Sequence, residues 1–223
     1  MKTVAVIPIK MGSKRVPGKN IKPFFDGTPL MHFIQRACLD AENIDEVYIY
    51  CSDDAVVPYV LPGVKYLKRP DYLDGDDKNA NDIIREFINV VDADIYVNAH
   101  TTSPFAKVST IEECVDKVKS GEYDSAFCAE PLRTFMWENG TPINFNPDCF
   151  PRTQDLPLIY GETSIAYVFT KKSFIMNNRR LGKKPYVKEV SKIEAIDIDY
   201  PDDFEIANAI YKEVLLKDER KNN

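Results

Sequence analysis

Lys10, Gly12, Ser13, Lys14, Arg15, Lys19, Asn20 and Lys22 fall in one short stretch directly behind the apolar run Val4-Ala5-Val6-Ile7. Five cationic side chains and several small residues at the exit of a hydrophobic strand can hold a polyphosphate, because ammonium and backbone N–H groups replace its water. The spacing is neither that of a P-loop, which needs a glycine five positions before Gly-Lys-Ser/Thr, nor that of the three-glycine dinucleotide loop. A solvated Lys-rich surface turn is the plain alternative. Position weighs against it, since ligands of open α/β sheets sit at the carboxyl ends of strands.

A second constellation lies near the other end. Asp197-Ile198-Asp199 sets two carboxylates two apart on an extended segment, so both face one side and Ile198 the other. That pair suits Mg2+, which binds few protein carboxylates and fills its shell with water and the oxygens of a nucleoside triphosphate. Equally, one of the aspartates caps the helix that begins near Tyr200-Pro201. Asp53-Asp54 either offers acceptors to a ribose or metal or caps the next helix, the simpler reading. His100-Thr101-Thr102-Ser103-Pro104 follows a strand and belongs on the sheet edge of the basic loop, where His100, Thr102 and Ser103 can touch substrate, although Ser103 also reads as a turn residue. Arg152-Thr153-Gln154-Asp155-Leu156-Pro157, with Tyr160 behind it, carries an arginine able to make a bidentate carboxylate contact. Arg69 and Asn79 can read a base edge, or Asn79 can cap a helix. With two histidines in the chain, and His32 inside an apolar helix pattern, no Ser-His-Asp or Cys-His set is evident.

Positioning these groups falls to an alternation of short β-branched runs and amphipathic stretches: 3–7, 30–39, 47–51, 55–61, 65–67, 83–91, 95–97, 111–118 and 125–129. This predicts an α/β fold, a mostly parallel sheet with helices on both faces. Thr28-Pro29 predicts a capping hydroxyl before a proline at the first helical position, and Ser109 with Glu112 a capping box. From about 133 to 160 the rhythm breaks into a segment rich in Pro, Asn, Gly and aromatics, read as an excursion from a single domain spanning 1–223. A strand over 165–169, a short helix over 173–177, a short strand over 196–198 and a final helix over 203–216 follow.

The chain has 223 residues, 44% hydrophobic, with no apolar run near membrane-spanning length, so one sizeable soluble core is expected. No secretory signal is visible, which makes the cytoplasm the expected location. Five scattered cysteines without a C-x-x-C pair read as reduced packing residues. A net charge of −6 disfavours nucleic acid as a partner, and the local basic loop suits a small anion instead. Residues 217–223 read as a frayed helix end.

The chain resembles the acylneuraminate cytidylyltransferases, the CMP-sialic acid synthetase family, which includes the pseudaminic and legionaminic acid enzymes and is related to those that activate Kdo. The likeness runs over nearly the whole length. It is carried by Ile7-Pro8-Ile9-Lys10-Met11-Gly12-Ser13-Lys14-Arg15-Val16-Pro17-Gly18-Lys19-Asn20, Ser52-Asp53, Thr102-Ser103-Pro104, Arg152-Thr153-Gln154-Asp155-Leu156-Pro157 and Ile196-Asp197-Ile198-Asp199. The resemblance implies a Rossmann-like sheet of nucleotidyltransferase type and a homodimer in which residues 133–165 form a dimerisation insertion reaching toward the partner.

It further implies that the hydroxyl of an acidic sugar attacks the α-phosphorus of CTP while Mg2+-pyrophosphate leaves. Lys10, Lys14 and Lys19 would then bind the triphosphate, with Lys19 nearest the transferred phosphoryl, and Asp197 and Asp199 would hold the metal. Gly12, Ser13, Asn20, Ser52, Asp53, Arg69 and Asn79 are the candidates for nucleotide binding, and His100, Thr102, Ser103, Arg152, Gln154, Tyr160 and Thr163 for the acceptor. Lys10 stands where the family usually has arginine and so forfeits a bidentate fork. His100 takes the place of a glutamine, Ala106 that of an arginine, and Glu162-Thr163-Ser164-Ile165 that of Pro-Asn-Gly-Ala. These departures cluster where the sugar would lie, and they predict an acceptor other than sialic acid: a different ulosonic acid, or another acid or polyol. Two rivals remain at this stage. One is a nucleotide-sugar-dependent glycosyltransferase, which also uses Asp-x-Asp; the other is a nucleotide-binding regulatory protein without turnover.

Overall fold

The run Thr3–Ile9 sends Ala5, Ile7 and Ile9 to one side and Val4 and Val6 to the other, and all five side chains are buried. A strand apolar on both faces must be central to a sheet covered on both sides. A computed structural model of the chain, which describes residues 1–216, shows that arrangement. Its elements run β1 (Thr3–Ile9), α1 (Leu30–Asp40), β2 (Glu46–Cys51), β3 (Val64–Lys68), α2 (Ala80–Val90), β4 (Ile95–Ala99), α3 (Val108–Lys119), β5 (Ser125–Leu132), β6 (Trp137–Glu138), β7 (Thr141–Pro142), β8 (Ile159–Thr170), α4 (Lys171–Asn177), β9 (Pro185–Glu189) and α5 (Pro201–Ile210).

Seven strands form one sheet in the order β3-β2-β1-β4-β8-β5-β9. β8 runs antiparallel to both of its neighbours, and the remaining pairings are parallel. Met31 and Ile34 of α1 and Ile111, Cys114 and Val115 of α3 pack on one face; Ile84 and Phe87 of α2 and Phe174 of α4 pack on the other. The expected α/β sheet with helices on both faces is therefore present. Each such buried aliphatic or aromatic side chain contributes about 1.5–3 kcal/mol. A third cluster, Phe24, Leu30, Phe105, Ile198, Phe204 and Ala207, ties α5 to the start of α1. β1 lies between β2 and β4, so the strand order reverses there and opens a crevice at their carboxyl ends.

Several local expectations are corrected. Pro29, not Thr28, is the residue before α1, and it makes no side-chain cap; the Thr28 hydroxyl bonds Asp26 instead. Likewise α3 starts at Val108 behind Lys107, which leaves Ser109 inside the helix. The stretch 55–61 is a 3-10 segment, Asp54–Tyr59, with Pro58 within it. Residues 196–198 join no sheet: the Ile198 amide bonds the Thr102 carbonyl (2.8 Å) and its side chain fills the third cluster. The last helix begins at Pro201 and widens to a π-turn over Tyr211–Leu215. Four cysteines are buried as expected, but Cys149 is exposed. The frayed end expected over 217–223 lies outside the described residues.

Within the segment expected to leave the sheet, β6 and β7 pair as a separate hairpin. Phe135, Phe145 and Phe150 pack against one another there, while Trp137 and Phe150 keep more than half their surface exposed.

Candidate functional site

The basic loop is fastened to the crevice by Asn20. Its Nδ2 donates to the Lys10 carbonyl (3.0 Å) and its Oδ1 accepts from the Thr101 hydroxyl (2.6 Å), so the exits of β1 and β4 are tied together. Gly18 adopts φ 65°, a left-handed turn that lets the chain enter the 3-10 turn Lys19–Ile21. The Ser13 hydroxyl accepts from the Val16 amide (3.3 Å) and closes the loop on itself. Lys10, Gly12, Ser13, Lys14, Lys19, Asn20, His100 and Thr102 line one cleft of about 330 Å3 together with Arg15, Thr101 and Asp76. Lys22 points elsewhere, over the Phe204 ring.

Lys19 is only 8% exposed, and its ammonium donates to the Ile198 carbonyl at 2.7 Å. Burial lowers its pKa, opposed by the charges of Asp199 and Asp197. Asp199 also accepts from Arg15 at 2.7 Å and lies 3.7 Å from Lys19. The Arg15 pKa is raised by its contacts with Tyr200 and Asp199. Asp197 accepts from the Ser164 hydroxyl (3.1 Å) through Oδ2, while its Oδ1 is buried with no hydrogen-bond partner. A buried carboxylate oxygen left unpaired is costly unless a cation or donor reaches it. The helix cap that competed for these aspartates in the sequence belongs to Asp203, whose carboxylate takes the amides of Asp199 and Tyr200. Among the described residues no group of three or more His, Cys, Asp or Glu side chains gathers to hold a metal. Two carboxylates completed by phosphate and water oxygens are what Mg2+ accepts.

The candidates for reading the nucleotide divide. Arg69 is buried and pairs with Asp74, and the Ser52 hydroxyl donates to the same carboxylate. Lys10 donates to the Asp74 carbonyl, so this residue links both candidates to the basic loop. Asp53 caps the Asp54–Tyr59 segment through the Ala55 amide, and Asn79 caps α2 in a reciprocal box with Asp82. For both, the contact present is the capping one that the sequence had left open.

The acceptor candidates divide as well. His100 and Thr102 line the cleft, and the Ser103 hydroxyl is buried without a partner. Thr163 donates to the Cys128 carbonyl within the sheet (3.0 Å). Arg152 pairs with Asp155, Gln154 offers its carbonyl to Arg133, and Tyr160 donates to Glu189; none of the three lines the cleft.

Four participants were not among the candidate site residues. Asp74 and Asp76 sit in an acidic turn opposite the loop, with Asp76 paired to Lys14 at 3.0 Å. Ser164 positions Asp197. Arg180 lies on the Tyr167 ring and donates to Asn98 Oδ1 (2.8 Å) and His100 Nε2 (3.2 Å). A guanidinium can only donate, so Nε2 accepts and the His100 proton is on Nδ1. Burial, reinforced by the Arg180 charge, pushes the His100 pKa down to about 3 and keeps the ring neutral.

A basic loop and an aspartate pair meeting at the switch point of this sheet define an α/β protein of nucleotidyltransferase type. The chain belongs to the family described as Cytidylyltransferase, which matches residues 4–220. It is 31% identical over 213 residues to N-acylneuraminate cytidylyltransferase A of Danio rerio; the match takes in 91% of this chain and 49% of that protein, so the chain spans about half that relative's length. It is 24% identical to a pseudaminic acid cytidylyltransferase of Campylobacter jejuni, covering 95% of this chain and 97% of the relative. Its fold is similar to that of a CMP:2-keto-3-deoxy-manno-octonic acid synthetase complexed with CTP, with a TM-score of 0.70 at 18% identity, over 96% of this chain and 99% of the other. No helix of the described residues is long and apolar enough to cross a membrane.

Proposed function

We propose that the protein transfers CMP from CTP to a hydroxyl of a 2-keto-3-deoxy sugar acid with release of pyrophosphate. The carrying observation is the convergence of two distant parts of the sequence: the Lys19 ammonium on the Ile198 carbonyl at 2.7 Å, and Arg15 on Asp199 at 2.7 Å. Lys10 and Lys14 neutralise the outgoing β- and γ-phosphates, and Lys19, buried beside the aspartates, faces the transferred phosphoryl. Charge neutralisation and positioning are the main demands of phosphoryl-type transfer. Asp197 and Asp199 are the residues that would hold Mg2+, and the unpaired Asp197 Oδ1 supports that fit. When bound, the ion polarises the phosphate oxygens and neutralises the leaving pyrophosphate. Asn20 and Thr101 hold the loop in place, and the neutral His100 borders the acceptor.

The names of the relatives point to nonulosonic or related acids as acceptors. His100, Ala106 and the 162–165 segment set this chain apart where the sugar would lie, so N-acetylneuraminate is expected to be a poor acceptor. A screen for pyrophosphate release, crossing the four nucleoside triphosphates with a panel of 2-keto-3-deoxy acids in Mg2+, tests the reading. CTP with one such acid should turn over within the usual ~1–10³ s⁻¹. No release with any pair overturns it.

The protein acts in the cytoplasm as a homodimer in this reading. The observation favouring a second copy is the exposed aromatic face of the β6–β7 excursion, with Trp137 55% and Phe150 63% exposed. Replacing both with aspartate should give a monomer by sedimentation.

A further inference from the structure

Among the described residues, Arg180 is the one arginine drawn into the protein without an acidic partner. Arg15, Arg69, Arg85 and Arg152 each pair with an aspartate. Arg180 bonds neutral groups: Nη1 donates to Asn98 Oδ1 and His100 Nε2, and its backbone amide to Asn81 Oδ1. Glu162, the carboxylate whose charge it feels, is engaged by the Tyr167 hydroxyl. Burial lowers the Arg180 pKa, as expected for a charge left without a counter-ion.

The corner therefore has more donors than acceptors. Both protons of Nη1 are used, whereas Nε and Nη2 have no hydrogen-bond partner among the described residues and neither is a fully buried atom. Asn98 is fully buried, and its Nδ2 also lacks an acceptor. With Nη1 fixed by Asn98 and by the neutral His100, and Cζ over the Tyr167 ring 3.9 Å from its centre, the guanidinium is restrained on three sides. Its partner His100 borders the same cleft as Lys10 and Lys19. A planar edge carrying Nε–H and Nη2–H is the complement of a carboxylate, which accepts both bonds at once.

We propose that Arg180 reads the carboxylate of the acceptor, with Asn98 and His100 as the positioning residues that aim it. This rests on the cytidylyltransferase reading for the identity of the acceptor. It assigns the acid-recognising contact to a residue on the α2 side of the sheet, outside both the basic loop and the 133–165 excursion.

Calorimetric binding in the presence of CTP provides the test. The probes are 2-keto-3-deoxy-manno-octonate, pseudaminate and N-acetylneuraminate, each as free acid and as methyl ester. The wild-type protein should bind at least one free acid about tenfold or more tighter than its ester, a preference that Arg180→Gln should abolish while CTP affinity stays unchanged. Arg180→Lys should keep part of it, since the charge remains and the fork is lost. Asn98→Asp, which keeps the packing but gives Arg180 an internal counter-ion, should also abolish the preference and decides the matter if Arg180→Gln does not fold. An undiminished preference for the acid in Arg180→Gln or Asn98→Asp overturns the inference, as does a wild-type protein that binds none of the free acids. Failure of the wider reading looks different: acid binding that depends on Arg180 persists, but no pyrophosphate is released.

Discussion

The Lys19 ammonium donates to the carbonyl of Ile198, 179 residues further along the chain, at 2.7 Å. A lysine this withdrawn from water needs compensation, and it receives it from a carbonyl and from the charges of Asp197 and Asp199. The same contact sets the loop against the aspartate segment, so a ligand that reaches one meets the other.

Replacement of Lys19 by alanine should therefore depress kcat by about 10²–10³-fold, the cost of losing one aimed donor, with a much smaller change in CTP affinity. Single-turnover kinetics beside a CTP titration separates the two. Equal losses in both would make Lys19 a binding residue without a share in the chemical step.

On the proposed function, Asp76 competes with the triphosphate for Lys14. Both side chains of this pair are 79% exposed, so the pair itself holds little of the fold. Asp76→Asn should leave the melting temperature unchanged and lower the KM for CTP by roughly two- to fivefold, an effect that fades at high salt. A raised KM would show that Asp76 assists the ligand.

His100 links the fold to pH. Its pKa is pushed from 6.5 to about 3 in the folded protein, so between those values the unfolded chain binds the extra proton. Stability accordingly rises with pH across that window, is fully present above 6.5 and is lost as pH falls toward 3. Urea unfolding of His100→Gln at about pH 7 and about pH 4.5 should show a shallower decline than wild type. An unchanged decline would mean that the ring is not held neutral by burial and Arg180.

The sheet and the basic loop were legible because both are written locally: apolar runs with the right period, and lysines crowded behind the first of them. β9 was not, since its half-buried residues Pro185–Glu189 lie at the sheet edge and carry lysine and glutamate among the apolar positions. The 196–198 segment looked like a strand because Ile196 and Ile198 alternate with aspartates. Its partner is the Thr102 carbonyl rather than a neighbouring strand, which no local pattern reveals. The caps at Thr28 and Ser109 failed because the helices start one residue after Pro29 and one before Ser109. Arg180 was invisible for a different reason. Its meaning comes from Asn98, His100 and Tyr167, which meet it through the register of β4 on β8.

The proposed function requires the basic loop and the aspartate pair to grip one magnesium triphosphate together. CTP binding measured by calorimetry with and without Mg2+, in the wild-type protein and in Asp197→Asn/Asp199→Asn, tests it most directly. Mg2+ should tighten CTP binding to the wild-type protein and leave the double variant's affinity unchanged. The same tightening in both proteins would contradict it.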